Sequence, residues 1–219
     1  MEARFPNRAE AGRQLASKLA AYKGGQDVIV LALPRGGAPV AYEVARALGV
    51  PLDVFIVRKL GVPGFEELAL GAIASGGVRV LNQEVVRALP NPDQLIESVT
   101  HRELAELQRR EQSYRDNRPA PELQGRTVIL VDDGLATGAT MRAAVAALRQ
   151  RGVAKIVVAV PVGAADTCRE FETEVDETVC AVASEYFQAV GQYYDDFSQT
   201  TDEEVREILA RSTINGGSA

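Results

Sequence analysis

The 219-residue sequence predicts an α/β fold, a doubly wound and mainly parallel sheet in a single domain, 1–219, with its core at about 25–183. Two observations predict it. Five apolar segments have the length of buried strands, at 28–33, 54–57, 128–131, 156–160 and 178–182. Three other segments carry helical spacing of apolar residues, at 40–48, 141–149 and 164–172. Buried strands that alternate with helices are typical of a parallel sheet covered on both faces.

The composition is that of an ordinary globular protein, 46% hydrophobic and 25% charged. A net charge of −6 argues against binding to DNA, RNA or a membrane surface, so local cations or backbone amides must hold any anionic ligand. No signal peptide or membrane-length apolar run is seen, and we expect a cytoplasmic protein. The sequence allows a disulfide between Cys168 and Cys180, but we expect buried thiols, because the expected compartment is reducing.

A glycine-rich turn follows the first strand, in "LPRGGAPV". Gly36 and Gly37 would let the backbone approach a ligand closely, and the planar guanidinium of Arg35 can hold two phosphate oxygens at once. An ordinary turn with a solvent-facing arginine is the alternative interpretation.

Two cations, Arg58 and Lys59, follow the second strand. Their burial at a strand's carboxyl end is costly unless an anion meets them. The glycine-punctuated segment 61–67 has the composition of a lid, and 70–82 is predicted to be a hairpin that turns at 75–77 and forms an edge or flap.

A highly charged segment at 92–117 is predicted to be one long helix packed along an edge of the domain, because its apolar stripe is narrow. The single histidine, His101, lies in this helix without metal-ligand spacing and is interpreted as a solvated or half-buried side chain.

The stretch "VILVDDGLATGAT" ends an apolar strand with Asp132 and Asp133 and continues into a loop of small residues, 136–140. Open α/β sheets bind ligands at the carboxyl ends of their strands. Unobstructed amides before a helix favour a phosphate, whereas paired carboxylates would repel it and instead accept hydrogen bonds from vicinal hydroxyls. The stretch therefore predicts a ligand with a sugar and a nearby phosphate. The alternative is a tight strand–helix turn whose acids complement the helix dipole.

This stretch resembles the motif that binds phosphoribosyl pyrophosphate (PRPP) in the type I phosphoribosyltransferases, and the resemblance extends from about 28 to 182. It implies that Asp132 and Asp133 bind the ribose hydroxyls, and that the 5′-phosphate lies on Ala136, Thr137, Gly138, Ala139 and Thr140. Ala139 stands where the family often has glycine, which is harmless if its φ is negative. Ala136 stands where the hypoxanthine–guanine enzymes carry an acid, which weakens a 6-oxopurine assignment and leaves adenine-like, pyrimidine or unusual acceptors open.

The resemblance also assigns the other motifs. It makes 35–37 a pyrophosphate loop, usually with a non-proline cis peptide, and gives Arg58 and Lys59 pyrophosphate contacts like those of the adenine-type enzymes. Arg35, Lys59 and Glu67 are the catalytic candidates; Glu66 is an alternative to Glu67, and either acid is as well explained by solvation. A C-terminal hood with the last helix, at about 184–213, would contain five aromatic residues that stack on the base or anchor the helix: Tyr186, Phe187, Tyr193, Tyr194 and Phe197.

The expected function is transfer of the phosphoribosyl group of PRPP to a nitrogen of a nucleobase-like acceptor, with release of pyrophosphate. Mg²⁺ is the expected cofactor, held mainly by substrate and water near Asp132 and Asp133 rather than by a protein cage. The resemblance further suggests a homodimer. A regulator that binds PRPP without turnover is the alternative from another functional class.

Overall fold

The computed structural model of the protein describes residues 4–90 and 92–215, except the side chains of 66, 67 and 213–215. Its helices are α1 (Arg8–Lys18), α2 (Gly37–Leu48), α3 (Gln83–Ala88), α4 (Pro92–Arg115), α5 (Ala139–Gln150), α6 (Ala165–Glu174) and α7 (Asp202–Asn215), with short 3-10 helices at Ala20–Tyr22 and Val190–Tyr193. Its strands are β1 (Val28–Ala32), β2 (Leu52–Val54), β3 (Val57–Val62), β4 (Phe65–Ala74), β5 (Val78–Leu81), β6 (Thr127–Val131), β7 (Lys155–Ala164) and β8 (Glu177–Ser184).

The main sheet has five parallel strands in the order β2-β1-β6-β7-β8, which confirms the predicted fold class. Successive side chains on a strand point to opposite faces, and both faces are covered. Val30 and Ile129 pack on one face under α1, α2, α4 and α7. Ile29 and Leu130 pack on the other face under α5 and α6. Because both faces are buried, the central strands are continuous apolar runs rather than alternating ones.

A second, antiparallel sheet of three strands, β3-β4-β5, lies beside the main one. The predicted hairpin at 70–82 is confirmed, with Gly76 and Gly77 at positive φ in its turn. The predicted strand at 54–57 is wrong, because the chain leaves the parallel sheet after Val54 and starts β3 at Val57. A continuous apolar run does not reveal such a change of sheet.

The long helix is confirmed as α4, which packs its apolar stripe against the small sheet and against α7. Its buried side chains include Ile96, Leu107 and Tyr114, while His101 is exposed as expected. A buried ion pair fixes its end to the main sheet, since Arg115 Nε donates to Asp53 Oδ2 of β2 at 2.9 Å.

Cys168 of α6 and Cys180 of β8 form a disulfide with 6.4 Å between their Cα atoms. The expectation of buried thiols is therefore wrong. The two residues are 12 positions apart, but α6 turns back along β8, and that packing brings the two sulfurs together. The structure contains, within its described residues, no helix long and apolar enough to cross a membrane.

Candidate functional site

Two connections meet at the carboxyl edge of the main sheet, because β1 and β6 are parallel neighbours. The first follows β1 and the second follows β6. Leu33 N–H extends the pairing beyond β1 by donating to Val131 O at 2.9 Å. The peptide between Pro34 and Arg35 is cis, as expected for this turn. The predicted glycine turn and the predicted acids are therefore neighbours in space.

The two glycines of the first connection are required by this contact. A Cβ on Gly36 would lie 2.1 Å from Asp133 Oδ2, and a Cβ on Gly37 would lie 2.7 Å from Val131 O. Real Cβ atoms do not come so close to other atoms, so a side chain at 36 would displace the Asp133 carboxylate, and one at 37 would displace the backbone at the end of β6. The backbone of the glycine turn thus lies directly against the two acids.

Asp132 and Asp133 are each partly accessible at the end of β6. Asp133 N–H donates to Asp132 Oδ1 at 2.8 Å, and Arg8 Nε donates to Asp133 Oδ2 at 2.8 Å. Burial raises the pKa of Asp132 well above its usual value, and the adjacent Asp133 carboxylate raises it further. A hydrogen-bond donor or a cation that entered this edge would offset that cost. The pair is therefore suited to accept ligand hydroxyls.

The loop of small residues, 136–140, is bonded to α6 on one side and exposed to solvent on the other. Thr167 Oγ1 of α6 donates to Ala136 O at 2.7 Å, and Gly138 adopts φ 73° as the N-cap of α5. Ala136, Thr137, Ala139 and Thr140 are exposed, so the first turn of α5 offers accessible amides and hydroxyls to an anion. Ala139 lies in α5 and is not among the described residues with positive φ, which meets the condition for replacing glycine there.

Arg35 lies beside this edge, but its guanidinium already faces an acid. Its Nη1 is 3.9 Å from Asp202 Oδ1 at the start of α7. Tyr114 OH donates to the same carboxylate oxygen at 2.5 Å, and burial together with this hydrogen bond raises the pKa of Tyr114 to about 12. Arg35 thus lies at one side of the site and faces the start of α7. Its predicted role toward pyrophosphate stays a prediction.

Arg58 and Lys59 lie on opposite faces of β3, because they are consecutive in a strand. Arg58 points to α4, where its Nη2 is 2.6 Å from Glu103 Oε2. Lys59 lines a cleft of about 540 Å³ between the small sheet and α5 that also includes Ala139 and Thr140. Of the two cations, Lys59 is on the side of the predicted phosphate loop. Pyrophosphate contacts of Arg58 stay a prediction, and they would require the ion pair with Glu103 to open.

The aromatic residues of the predicted hood divide into two groups. Tyr193 and Tyr194 are buried, and Phe187 stacks on Tyr193 with 5.5 Å between ring centroids. These residues anchor the C-terminal segment. Tyr186 and Phe197 are exposed, Tyr186 to 85%, and could contact a ligand.

The side chains of Glu66 and Glu67 lie outside the described residues, and the roles expected of these acids stay predictions. Over the described part of the chain, no group of three or more His, Cys, Asp or Glu side chains could hold a metal ion.

Two contributors to this edge were missed by the sequence interpretation. Arg8 reaches Asp133 from α1, and Tyr194 OH donates to Asp133 O at 2.6 Å from the C-terminal segment. No local pattern around either residue signals these contacts, because the partners are 125 and 61 positions away in the chain.

The arrangement can bind a ligand with three kinds of group. The carboxylates accept hydrogen bonds from hydroxyls, the amides at the start of α5 hold an anion, and the glycine turn allows a second anionic group to approach the backbone.

The chain is similar to known proteins of one family. The family described as "Phosphoribosyl transferase domain" matches residues 3–69 and 63–198. The chain is 50% identical over 208 residues to a Mycobacterium tuberculosis (strain H37Rv) protein named "Putative phosphoribosyl transferase Rv0571c". That match covers 95% of this chain but 47% of the relative, so the chain spans about half the length of the curated relative it matches. The crystal structure of TT1426 from Thermus thermophilus is similar with a TM-score of 0.83 at 44% identity, over 95% of this chain and 98% of that one.

Proposed function

This chain belongs to the phosphoribosyl transferase domain family, and on that basis we propose its function. In this proposal the chain transfers the phosphoribosyl group of PRPP to a nitrogen of a nucleobase or related acceptor and releases pyrophosphate. The observation that carries the proposal is the contact between the glycine turn and the acids, with Gly36 and Gly37 against Asp133 and Val131. It supports a single ligand that carries both a diphosphate and free ribose hydroxyls.

Each part of PRPP has a matching group at this edge. Asp132 and Asp133 would accept hydrogen bonds from the two ribose hydroxyls, which also lowers the cost of two adjacent carboxylates. The amides and hydroxyls at 136–140 would bind the 5′-phosphate at the start of α5. The backbone of Gly36 and Gly37 would lie beside the pyrophosphate.

The acceptor nitrogen would attack the anomeric carbon as its bond to pyrophosphate breaks, so negative charge grows on the leaving group. Arg35 beside the glycine turn and Lys59 on the face of β3 toward α5 are the cations placed to offset that charge. Stabilisation of developing charge by positioned donors is commonly the largest contribution to catalysis. The glycine-punctuated segment 61–67, which connects β3 to β4 in the sheet that carries Lys59, would serve as the lid.

Mg²⁺ fits the residues at this edge. It prefers oxygen ligands, and two carboxylates are present, one of which already pairs with Arg8. Such a set suits an ion that would take most of its ligands from PRPP and water, with Asp132 or Asp133 as the protein group that would help to hold it. When bound, it would neutralise charge on the pyrophosphate oxygens.

The alternative is a PRPP-binding regulator without turnover. It is favoured by the unassigned acceptor, because Ala136 stands where the hypoxanthine–guanine enzymes carry an acid and so weakens a 6-oxopurine without pointing to another base. Cytoplasmic location, a homodimer and a nucleobase-like acceptor also remain proposals.

One experiment separates these functions. The protein is incubated with PRPP, magnesium chloride and a panel of purines and pyrimidines, and pyrophosphate release is measured, with the Asp132→Asn/Asp133→Asn variant as the control. Release with at least one base and none from the variant supports the transferase. If the protein binds PRPP but releases no pyrophosphate with any base of the panel, the regulator is indicated. If the protein does not bind PRPP, both functions are overturned.

A further inference from the structure

Arg8 lies at the first position of α1, outside every motif that the sequence singled out. The side chain is 11% exposed, so the guanidinium is held within the protein rather than in solvent. A buried guanidinium is costly unless its donors are satisfied, and its partners therefore indicate its role.

The partners of Arg8 come from two other regions of the chain. Its Nε donates to Asp133 Oδ2 at 2.8 Å, and its Nη1 donates to Ser198 O at 2.7 Å. Its guanidinium lies over the ring of Phe197, 4.0 Å from the centroid. One side chain thus connects α1, the second acid of the site and the C-terminal segment.

Asp133 is held from the other sides as well. Gly36 lies directly against its carboxylate, since a Cβ on Gly36 would be 2.1 Å from Asp133 Oδ2. Tyr194 OH donates to the backbone oxygen of Asp133 at 2.6 Å. The Asp133 carboxylate is 14% exposed, and Arg8 engages one of its two oxygens. The other oxygen keeps its capacity to accept a hydrogen bond in a fixed direction.

Attachment of α1 to the domain does not need Arg8. The helix is docked by Ala11, Leu15 and Ala16, which are buried in the core, and is capped by Asn7, whose Oδ1 accepts from Glu10 N–H at 2.9 Å. Arg8 is thus available for the site rather than for the helix.

We propose that Arg8 is a positioning residue that fixes the Asp133 carboxylate for a ribose hydroxyl of PRPP and closes the C-terminal segment, through Phe197 and Ser198, beside it. This role rests on the proposed function. The positive charge of Arg8 lowers the pKa of Asp132, against the larger effects of burial and of the Asp133 charge, which raise it. Arg8 also orients the Asp133 carboxylate before the ligand arrives, which reduces the ordering cost of binding.

The test measures PRPP binding by titration calorimetry with magnesium chloride present, and it needs no acceptor. The variants are Arg8→Ala, Arg8→Lys, Asp133→Asn and the double variant Arg8→Ala/Asp133→Asn. The matched control is Arg13→Ala on the same helix, because Arg13 pairs with Glu10 and Glu43 away from the site.

We expect Arg8→Ala to raise the Kd of PRPP about tenfold, because the Asp133 carboxylate would then have to be ordered when PRPP binds. Arg8→Lys should fall between Arg8→Ala and the wild type, and Arg13→Ala should match the wild type. The double variant should bind no more weakly than Asp133→Asn alone, because Arg8 acts through Asp133. A merely structural role of Arg8 would instead give additive losses.

The outcomes separate the two proposals. If the wild type does not bind PRPP, the proposed function and this role are both overturned. If the wild type binds PRPP and Arg8→Ala binds equally well, or if the losses add in the double variant, only the role of Arg8 is overturned. Thermal melts show whether each variant is folded. If Arg8→Ala does not fold, the Kd of PRPP is compared between Arg8→Lys and Arg13→Lys instead. Equal Kd values for these two variants overturn the role of Arg8.

Discussion

Two polar clusters lie at opposite ends of the main sheet, and they differ in how their charges are arranged. At the amino ends of β7 and β8, Lys155 Nζ donates to Glu177 Oε2 at 2.9 Å and to Tyr22 OH at 2.6 Å. Tyr22 OH also hydrogen-bonds to Glu177. This cluster balances one positive charge against one negative charge. At the carboxyl ends, Asp132 and Asp133 are adjacent and their hydrogen-bonded cation is Arg8.

The pKa shifts of the two clusters run in opposite directions. Hydrogen bonds from Tyr22 and then Lys155 lower the pKa of Glu177, so this acid is stabilised in its charged form. Burial and the Asp133 charge raise the pKa of Asp132, so its charged form is destabilised in the protein alone. The balanced cluster is complete within the protein, whereas the unbalanced one, which is lined by glycine backbone, is the candidate for binding a ligand.

The largest expected effect breaks the unbalanced cluster. Asp132→Asn/Asp133→Asn should raise the Kd of PRPP about a hundredfold, because it removes two charged acceptors of ligand hydroxyls, each worth about 1.5–3 kcal/mol. The melting temperature should change little, because the relief of repulsion between two adjacent carboxylates offsets the loss of the negative charge that Asp133 presents to the Arg8 guanidinium. Calorimetry and thermal melts check both results.

The matched control for this variant is Tyr22→Phe, which disturbs the balanced cluster and should leave PRPP binding unchanged. Equal PRPP affinities of Asp132→Asn/Asp133→Asn and the wild type would sink the ribose assignment.

A smaller effect is expected at Lys59, which lies near the carboxyl edge but on the separate small sheet. Lys59→Ala should lower kcat by about tenfold to a hundredfold, and more than it raises the KM for PRPP, because the lost contact strengthens as the leaving group gains charge. Arg58→Ala is the comparison on the opposite face of β3. It should mainly lower the free energy of unfolding, because it removes the ion pair between Arg58 and Glu103. Steady-state kinetics with an active acceptor measure the changes in kcat and in KM separately. A wild-type kcat in Lys59→Ala would contradict a role of Lys59 in stabilising the leaving pyrophosphate.

The smallest effect is expected in the balanced cluster. Glu177→Gln should lower stability by less than about 1 kcal/mol at neutral pH, because the ion pair is more than a third exposed. The pKa of Glu177 is lower in the fold than its ordinary value of 4.5, so its contribution is present above that pH and is lost as the pH falls below it.

Urea unfolding at several pH values measures this dependence for Glu177→Gln and the wild type. The two stabilities should converge in acid. A difference that stays constant down to the acid limit would show that Glu177 acts through packing rather than charge.

Local sequence patterns were enough to predict four of the five strands of the main sheet and much of its carboxyl edge. Buried strands are apolar runs of limited length, and the glycine turn and the paired acids are each made of consecutive residues, so 35–37 and 132–140 could be found by local pattern. The long helix and the hairpin at 75–77 were predictable for the same reason, since helical spacing and turn residues are local signals.

The partners of those residues depend on tertiary packing. The contacts of Arg8 with Asp133, of Arg58 with Glu103 and of Cys168 with Cys180 join elements that packing brings together, and no sequence spacing encodes them. The change of sheet between Val54 and Val57 was hidden for a related reason. A buried apolar run looks the same whichever sheet it joins, because burial selects for hydrophobicity and not for the neighbouring strand.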